Sequence, residues 1–334
     1  MAYDTGQSGT AQCGVIPLRP LAFADVLRGM FRTAVGYWRQ LIVLSLAVFL
    51  VSYALIHGAV TVAFHSVGDQ AQLLLEDGTV GGPLLVVGGV VLLGTMAVTA
   101  FAVTLVHSIC AVVVRHAVLG GPLTVRETWS RALVRLLAVF AALSAPMLTA
   151  FVVLVAVLVL VLYAGPGGLV LLPPAVLFLV WIWARWSLAP AAVVFEGAGP
   201  LTALRRSARL VRGSWWRVFA ISLLFLVVAN VGAYAIGLPF EMAQSATTLV
   251  DGADGAGVPA DDGLWLTRDF GVGGLLTLLG PAVAATLSTL LPQLASTLLY
   301  VDRRLRTESL APVLAAAAYV PPEPVRDPEP AHTA

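Results

Sequence analysis

Residues 201–237, LTALRRSARLVRGSWWRVFAISLLFLVVANVGAYAIG, decide the fold because an arginine-rich segment runs directly into an apolar one. The first part, 201–217, holds five of the nineteen basic residues of the chain. The apolar part reaches the roughly 20 residues that a helix needs to cross a bilayer. The junction predicts a surface helix that leads into a membrane-spanning helix.

On a helical wheel the two kinds of side chain in 201–217 separate. At about 100° per residue the basic residues share one arc and the apolar residues share another. The basic set is Arg205, Arg206, Arg209, Arg212 and Arg217, and the apolar set is Leu201, Leu204, Ala208, Val211 and Trp215. Arginine opposite Leu and Trp is typical of a helix that lies in the headgroup plane.

Three other interpretations of this segment fail on physical grounds. As a spanning helix it would place five arginines in hydrocarbon, at about 2.5–3.5 kcal/mol each. As a voltage sensor it lacks regular three-residue spacing of the arginines. As a nucleic-acid helix it lacks a free basic face, because apolar runs hold it to the membrane on both sides. We therefore expect no nucleic-acid partner.

The composition of the whole chain predicts an all-α polytopic membrane protein. The 334 residues are 59% hydrophobic and 11% charged, whereas ordinary soluble domains are about 25% charged. Six apolar runs predict spanning helices at 41–63, 84–114, 136–163, 169–188, 217–238 and 271–300. Prolines inside these runs predict kinks, at Pro146, Pro173, Pro174, Pro281 and Pro292.

The arginines also predict the orientation. The connections after the first, third and fifth runs carry acidic residues and a single arginine, Arg268, while the other side carries the remaining arginines. The positive-inside bias then places both termini in the cytoplasm. All nineteen basic residues are arginine, a usage typical of a GC-rich bacterial genome, so we expect a multi-pass protein of the bacterial plasma membrane.

A short repeat divides the ordered chain into three units. The segments GPLTVRETWSRALVRLLAVF from Gly121 and GPLTALRRSARLVRGSWWRVF from Gly199 are alike, and the segment from Arg19 shares their Pro-Leu start. Each unit predicts a cytoplasmic amphipathic helix followed by two spans. The shared constraints of membrane insertion are the alternative explanation. The predicted organisation is a disordered leader (1–16), a membrane domain (17–310) and a Pro-rich disordered cytoplasmic tail (311–334).

The arginines of the three amphipathic segments are the candidate binding residues. We expect them to contact anionic lipid headgroups or a partner protein; the alternative is that they only fix topology, at about 1 kcal/mol per arginine near the surface. The set comprises Arg28, Arg32, Arg39, Arg131, Arg135, Arg205, Arg206, Arg209, Arg212 and Arg217. Arg185, near the end of the fourth run, is predicted to form a buried ion pair with Glu196.

Catalytic chemistry finds little support in the sequence. No serine elbow, phosphate-binding glycine loop or HExxH motif is present, and the five histidines lack metal-ligand spacing. His57 and His107 lie within spans, where hydrogen bonding to backbone competes with a functional role. We expect no enzyme activity, metal or cofactor. An intramembrane enzyme that uses His57, His107 or Arg185 is the least favoured hypothesis.

Two stretches carry a resemblance to a known family. They are RWSLAPAAVVFEGAGPLTALRRSARLVRGSWWRVF (185–219) and YVDRRLRTESL (300–310). Both resemble bacterial integral membrane proteins related to the membrane domain of glycerophosphodiester phosphodiesterases. The resemblance implies a six-helix membrane domain. It does not imply the phosphodiesterase activity, because the chain has no catalytic barrel.

These observations predict a non-enzymatic bacterial inner-membrane protein that interacts with lipid or acts as a scaffold. The alternative is a small-molecule or lipid transporter, with a pathway between the three helix pairs. A polar path that holds Arg185, Asn230 and Gln293 would favour transport, and a tightly packed apolar centre would count against it.

Overall fold

The structure is a computed structural model that describes residues 12–13, 16–17, 23–76, 82–119, 123–254 and 272–307. Outside these ranges lie the predicted tail (311–334), most of the predicted leader (1–16), Arg19, Gly121 and Arg268. Two short strands, β1 (Gln12–Cys13) and β2 (Ile16–Pro17), form an antiparallel pair. The rest of the described chain is almost entirely helical.

The described residues contain nine α-helices. They are α1 (Phe23–Gly36), α2 (Leu44–Glu76), α3 (Gly82–Leu119), α4 (Val125–Ala164), α5 (Leu172–Trp186), α6 (Ala189–Glu196), α7 (Pro200–Val211), α8 (Trp215–Asp254) and α9 (Val272–Thr307). A π-helical stretch, Arg39–Val43, leads into α2, and a 3-10 helix, Gly165–Leu171, leads into α5.

Six segments are long and apolar enough to cross a membrane, which confirms the predicted number. They are Arg39–Ala63, Val86–Val118, Val125–Tyr163, Gly167–Glu196, Trp215–Ala243 and Gly274–Thr307. The chain is a multi-pass membrane protein by this criterion. Long helices suit this setting because each one satisfies its own backbone hydrogen bonds in lipid.

The fourth span is built from pieces and extends further than predicted. It starts as the 3-10 helix, continues as α5, turns at Ser187–Leu188 and ends with α6 at Glu196. Pro173 and Pro174 lie in the first turn of α5 rather than inside it, where a missing N–H costs nothing. Pro146, Pro281 and Pro292 do lie inside their helices, as predicted.

The second unit lacks the separate amphipathic helix that the repeat predicts. Its arginine-rich segment forms the first turns of α4, a continuous helix. A capping box starts this helix: the Glu127 N–H donates to Thr124 Oγ1, and the Thr124 N–H donates to the Glu127 carboxylate. In the third unit α7 ends before α8 because the chain turns at Gly213, whose φ of 86° favours glycine.

Five helices form a ring. In order around it, α3, α4, α5, α8 and α9 each contact the next, and α9 contacts α3. α2 packs across the α3–α9 side of this ring. The first span, α2, therefore lies outside the ring that the other five spans form. α3 supplies much of the core, with Leu105, Ile109 and Val113 fully or almost fully buried.

The outer surface of the ring is apolar. Leu137, Leu154, Leu162 and Tyr163 on α4 are all exposed, and Leu177 on α5 is exposed as well. An exposed apolar area this extensive is unusual in a soluble monomer. It matches a surface that contacts lipid chains.

Small residues allow α8 and α9 to approach closely, as is common between membrane helices. A Cβ added at Gly280 would lie 2.6 Å from Phe240 Cβ, whereas one added at Gly237 would lie 3.9 Å from Ala284 Cβ. We expect Gly280→Ala to lower the free energy of unfolding by about 1–3 kcal/mol, because the helices must separate. The measurement is an SDS titration of the purified protein, followed by circular dichroism.

Gly237→Ala is the matched control for that substitution. It adds the same methyl group to the same helix pair at an ordinary contact distance, so we expect unchanged or slightly higher stability. Equal losses for the two variants would contradict the close packing at Gly280.

Candidate functional site

The arginine-rich helix α7 packs against the protein rather than against lipid. Its buried face consists of Ala203, Leu204, Ser207, Leu210 and Val211, and it contacts α4, α5, α6 and α9. Ser207 Oγ donates a hydrogen bond of 2.8 Å to the Arg185 carbonyl at the end of α5. Two residues that the sequence assigns to a lipid-facing side, Leu204 and Val211, therefore belong to the protein core.

Glu196 joins three helices at the arginine-rich end of the bundle. Its carboxylate lies at the end of α6, where it accepts a hydrogen bond of 2.9 Å from Arg206 Nε on α7. Arg304 Nε of α9 lies 3.7 Å from the same oxygen. The Tyr300 hydroxyl, also on α9, donates to it at 2.5 Å. Because Tyr300 is fully buried, this contact fixes α9 against α6.

Glu196 forms these contacts instead of the predicted ion pair with Arg185. The Arg185 guanidinium lies over the Trp181 ring, 4.9 Å from its centroid, in a cation–π contact one turn back on α5. Between the two residues lie the turn at Ser187–Leu188 and the whole of α6. That helix is about 12 Å long at 1.5 Å per residue, so Glu196 ends beside α7 and α9 instead.

A second carboxylate, Asp302, organises the junction of α8 and α9. Its side chain is fully buried and lies 3.4 Å from Arg217 Nη2 at the start of α8. It also accepts a hydrogen bond of 2.9 Å from Arg306 Nε, one turn further along α9. Next to it, Arg303 Nε donates to the Leu210 carbonyl at 3.0 Å. The last turns of α9 are therefore bound to both α7 and α8.

The two stretches that carry the family resemblance thus meet in space. Glu196, Arg206 and Arg217 come from the first stretch, and Tyr300 and Asp302 come from the second. The sequence analysis missed Tyr300 and Asp302 as structural partners. Their signal was present: YVDRRLR places one acid among arginines at helical spacing, immediately after an apolar run.

The other predicted arginines divide between internal contacts and exposure. Arg131 pairs with His116, and Arg135 Nη1 lies 3.5 Å from the Gly197 carbonyl. Arg28 is mostly exposed and lies 3.9 Å from Asp25, and Arg39 lies over the Trp38 ring at 5.8 Å. Arg32 is exposed.

Three exposed arginines form a continuous surface, which we term the arginine face: Arg205, Arg209 and Arg212. They lie opposite the buried side of α7. None of them forms an ion pair with a residue that the structure describes. Trp216, at the start of α8, is 75% exposed and follows Arg212 closely in the chain.

A cavity of about 1080 Å³ lies inside the helix ring. All five ring helices line it, and most of the lining side chains are apolar. Its polar lining includes His107, Ser222, Gln293 and several other hydroxyls, but no Arg, Asp or Glu. Arg185 and Asn230 do not line it. The described residues thus show neither a polar path through all three residues, which would favour transport, nor a tightly packed centre, which would count against it.

Asn230 lines a separate, smaller cavity of about 560 Å³ between α2, α8 and α9. Its side-chain amide donates a hydrogen bond of 2.7 Å to the Leu226 carbonyl on its own helix. His107 Nδ1 is 2.7 Å from the Val103 carbonyl in the same way. Among the described residues, no group of three or more His, Cys, Asp or Glu side chains is placed to hold a metal ion.

A family model described as a domain of unknown function, DUF7847, matches residues 123–302. This match covers more than half of the chain. The chain belongs to the DUF7847 family. Comparisons with curated proteins and with solved structures find no match.

The DUF7847 match begins just before α4 and ends at Asp302. It includes Glu196, Arg206, Arg217 and Tyr300, and it covers four of the five ring helices, with α3 outside it. The family description gives no activity. The link to the membrane domain of glycerophosphodiester phosphodiesterases therefore stays a prediction.

Removing the buried charge of Asp302 tests the α8–α9 junction. Asp302→Asn keeps the side-chain shape but leaves Arg217 and Arg306 without their carboxylate. We expect the free energy of unfolding to fall by about 1–3 kcal/mol. An SDS titration measures it, and Arg217→Gln in both backgrounds completes a double-mutant cycle.

The control is Glu241→Gln, the same carboxylate-to-amide change at an exposed position on α8. We expect it to leave the midpoint of the SDS titration almost unchanged, since exposed charges contribute little to the free energy of unfolding. Equal shifts for Asp302→Asn and Glu241→Gln would show that the buried carboxylate has no special structural role.

Proposed function

We propose that this DUF7847 protein is a non-enzymatic, lipid-interacting module of the bacterial plasma membrane, and that its arginine face binds anionic lipid headgroups. The observation that carries the proposal is the exposure of Arg205, Arg209 and Arg212 on a helix whose opposite side is packed in the protein. Guanidinium groups bind phosphate through paired, charge-assisted hydrogen bonds. Together with Trp216, which follows closely in the chain, they have the composition of a membrane–water interface.

The side chains of α1 support the same proposal at a second position. This helix packs on α3 and α9 through Val26, Met30 and Thr33, which are buried. Phe31 and Val35 are 66% and 72% exposed. Arg28 and Arg32 occupy the next part of the helix surface. A helix with a protein side, an apolar side and a basic side suits a position in the headgroup plane.

The two carboxylates at the arginine-rich end of the bundle distinguish the arginines that pair within the fold from those that remain for binding. Glu196 and Asp302 form ion pairs with Arg206, Arg217, Arg304 and Arg306 within the fold. The arginine face has no such compensation from the described residues, so its charge is available to an external anion. The competing proposal is a scaffold role. In that role an acidic surface of a partner protein, rather than lipid, forms the ion pairs with the same arginines.

A second candidate function is a transporter of lipid or of another apolar molecule. The observation that favours it is the cavity lined by five spans, because ligand sites commonly lie between the helices of a bundle. The absence of charged residues from the described lining argues against an ionic substrate. Transport requires that this cavity accept a ligand.

The orientation is tested by cysteine labelling. The background variant carries Cys13→Ser and Cys110→Ala. A single cysteine then replaces either Arg205, which precedes the fifth span, or Ser245, which follows it; both residues are exposed. We expect a membrane-impermeant maleimide to label Ser245→Cys in intact cells, and Arg205→Cys only after permeabilisation, because positive charge stays inside. The reverse pattern would invert the proposed topology and place both termini outside.

The lipid role of the arginine face is tested by substituting Arg205, Arg209 and Arg212 together with glutamine. Each arginine near an anionic surface contributes about 1 kcal/mol, so we expect most of the phosphatidylglycerol retained through gentle purification to be lost. Native mass spectrometry measures the retained lipid.

The matched control replaces the same three residues with lysine, which keeps the charge. We expect this variant to retain more lipid than the glutamine variant does. Unchanged retention in the glutamine variant would refute headgroup binding at this face, and would leave topology or a partner protein as the role of these arginines.

A further inference from the structure

The large cavity of the helix ring is lined by two residues with hydrogen-bonding groups that no described residue satisfies. Gln293 on α9 is 4% exposed, and its Nε2 has no hydrogen-bond partner. Ser222 on α8 is 5% exposed, and its Oγ has no partner either. Both residues line the cavity. Buried polar groups are almost always paired, so unpaired donors on a cavity wall indicate an external partner.

Other polar groups in the cavity wall do have hydrogen-bond partners. The hydroxyls of Thr104, Ser144 and Ser187 bond to carbonyls of their own helices. Gln293 Oε1 accepts from Ser296 Oγ at 3.3 Å, so only the amide N–H₂ of Gln293 is left over. This pattern leaves two donors, Gln293 Nε2 and Ser222 Oγ, which are themselves covered by protein atoms and reach a ligand in the cavity by rotation about their side-chain bonds.

His107 supplies an acceptor to the same cavity. Its Nδ1 lies 2.7 Å from the Val103 carbonyl, so the proton of the neutral ring is on Nδ1 and Nε2 carries the lone pair. The wall thus offers donors and an acceptor but no formal charge. A ligand that matches it carries carbonyl or ester oxygens and a hydroxyl group, and is itself uncharged.

The size and depth of the cavity indicate a long-chain molecule. An apolar cavity of about 150 Å³ holds benzene, and this cavity, at about 1080 Å³, has room for a molecule several times larger. Ser222 lies five residues along α8 from Arg217, or about 8 Å at 1.5 Å per residue. His107, Ser222 and Gln293 all lie within segments apolar enough to span a membrane, where the available molecules are lipids.

We propose that the cavity is a binding site for one uncharged long-chain lipid of the mono- or diacylglycerol type. Its ester and hydroxyl groups bond to Gln293, Ser222 and His107, and its acyl chain fills the apolar remainder beside Met147 and Ala150. This site is distinct from the arginine face in position and in chemistry. It remains even if headgroup binding at that face is refuted.

The test uses photo-crosslinking in proteoliposomes. The probe is a long-chain monoacylglycerol with a diazirine near the end of its acyl chain, and peptide mass spectrometry locates the product. We expect crosslinks on cavity residues such as Met147 and Ala150, and competition by unlabelled monoacylglycerol. Crosslinks confined to the outer surface of α4, near Leu162 and Tyr163, would refute an internal site.

Substitutions distinguish a ligand contact from a structural role. Gln293→Leu and Ser222→Ala remove the two donors, and together we expect them to lower cavity labelling about tenfold. They remove unsatisfied polar groups, so they are not expected to impair folding. Ser45→Ala is the matched control, because its Oγ is also buried without a partner but lies on α2, outside the cavity lining. Equal labelling in all of these variants would overturn the assignment of the donors.

A charged probe tests the class of ligand. Phosphatidylglycerol with the same diazirine chain should not label the cavity, because no arginine lines it to compensate the phosphate. Equal cavity labelling by the charged and uncharged probes would refute the specificity for an uncharged lipid. The arginine-face glutamine variant should label with monoacylglycerol as the wild-type protein does, which separates a failure here from a failure of headgroup binding.

Discussion

Partial neutralisation of an arginine cluster by two carboxylates, Glu196 and Asp302, is the constraint on which the arginine-rich end of this bundle depends. Most of the described chain is helix, but the bilayer does not specify how helix ends meet. Glu196 binds α7 and α9 to the end of α6, and Asp302 binds α8 to α9. Without these acids, four arginines would face one another in a partly buried space, and like charges there repel strongly.

This neutralisation also explains why α7 can lie against the protein. A helix with so many arginines would normally keep its basic side in water and its apolar side in lipid. Here Arg206 turns inward to Glu196, and Leu210 offers its carbonyl to Arg303, so one edge of the basic side becomes part of the packed junction. The remaining arginines are left on the outer surface. One side of α7 thus packs in the protein, and its other side remains exposed.

The number of spans followed from the sequence because hydrophobic length is a local property. The partners of Glu196 on α9 did not, because they depend on where the helix that forms the sixth span, two spans later in the chain, meets α6. Tyr300 is more than one hundred positions away, and no local pattern connects the two residues. Sequence proximity favoured Arg185 instead, since the turn at Ser187–Leu188 was not visible as an interruption. The continuous α4 was missed for a related reason: an amphipathic segment looks the same whether or not a turn separates it from its span.

The cavity was the feature least accessible to sequence reasoning, because empty space depends on how helix faces combine. Gln293 and Ser222 resemble ordinary interhelical hydrogen-bonding residues until the ring shows that nothing faces them.

Two sides of this ring differ in how their helices pack. Between α8 and α9 the close approach at Gly280 leaves no room for a Cβ atom. Between α5 and α8 the contact is aromatic: Trp183 meets Phe219 edge to face at 6.5 Å, while Trp215, on α8 itself, stacks on Phe219 at 5.0 Å. Rings can rotate about their side-chain bonds without separating two backbones, whereas a glycine contact opens only when the helices part. A molecule that enters from the bilayer would therefore disturb the least packing at the α5–α8 side, where Trp183 and Phe219 already form part of the cavity wall.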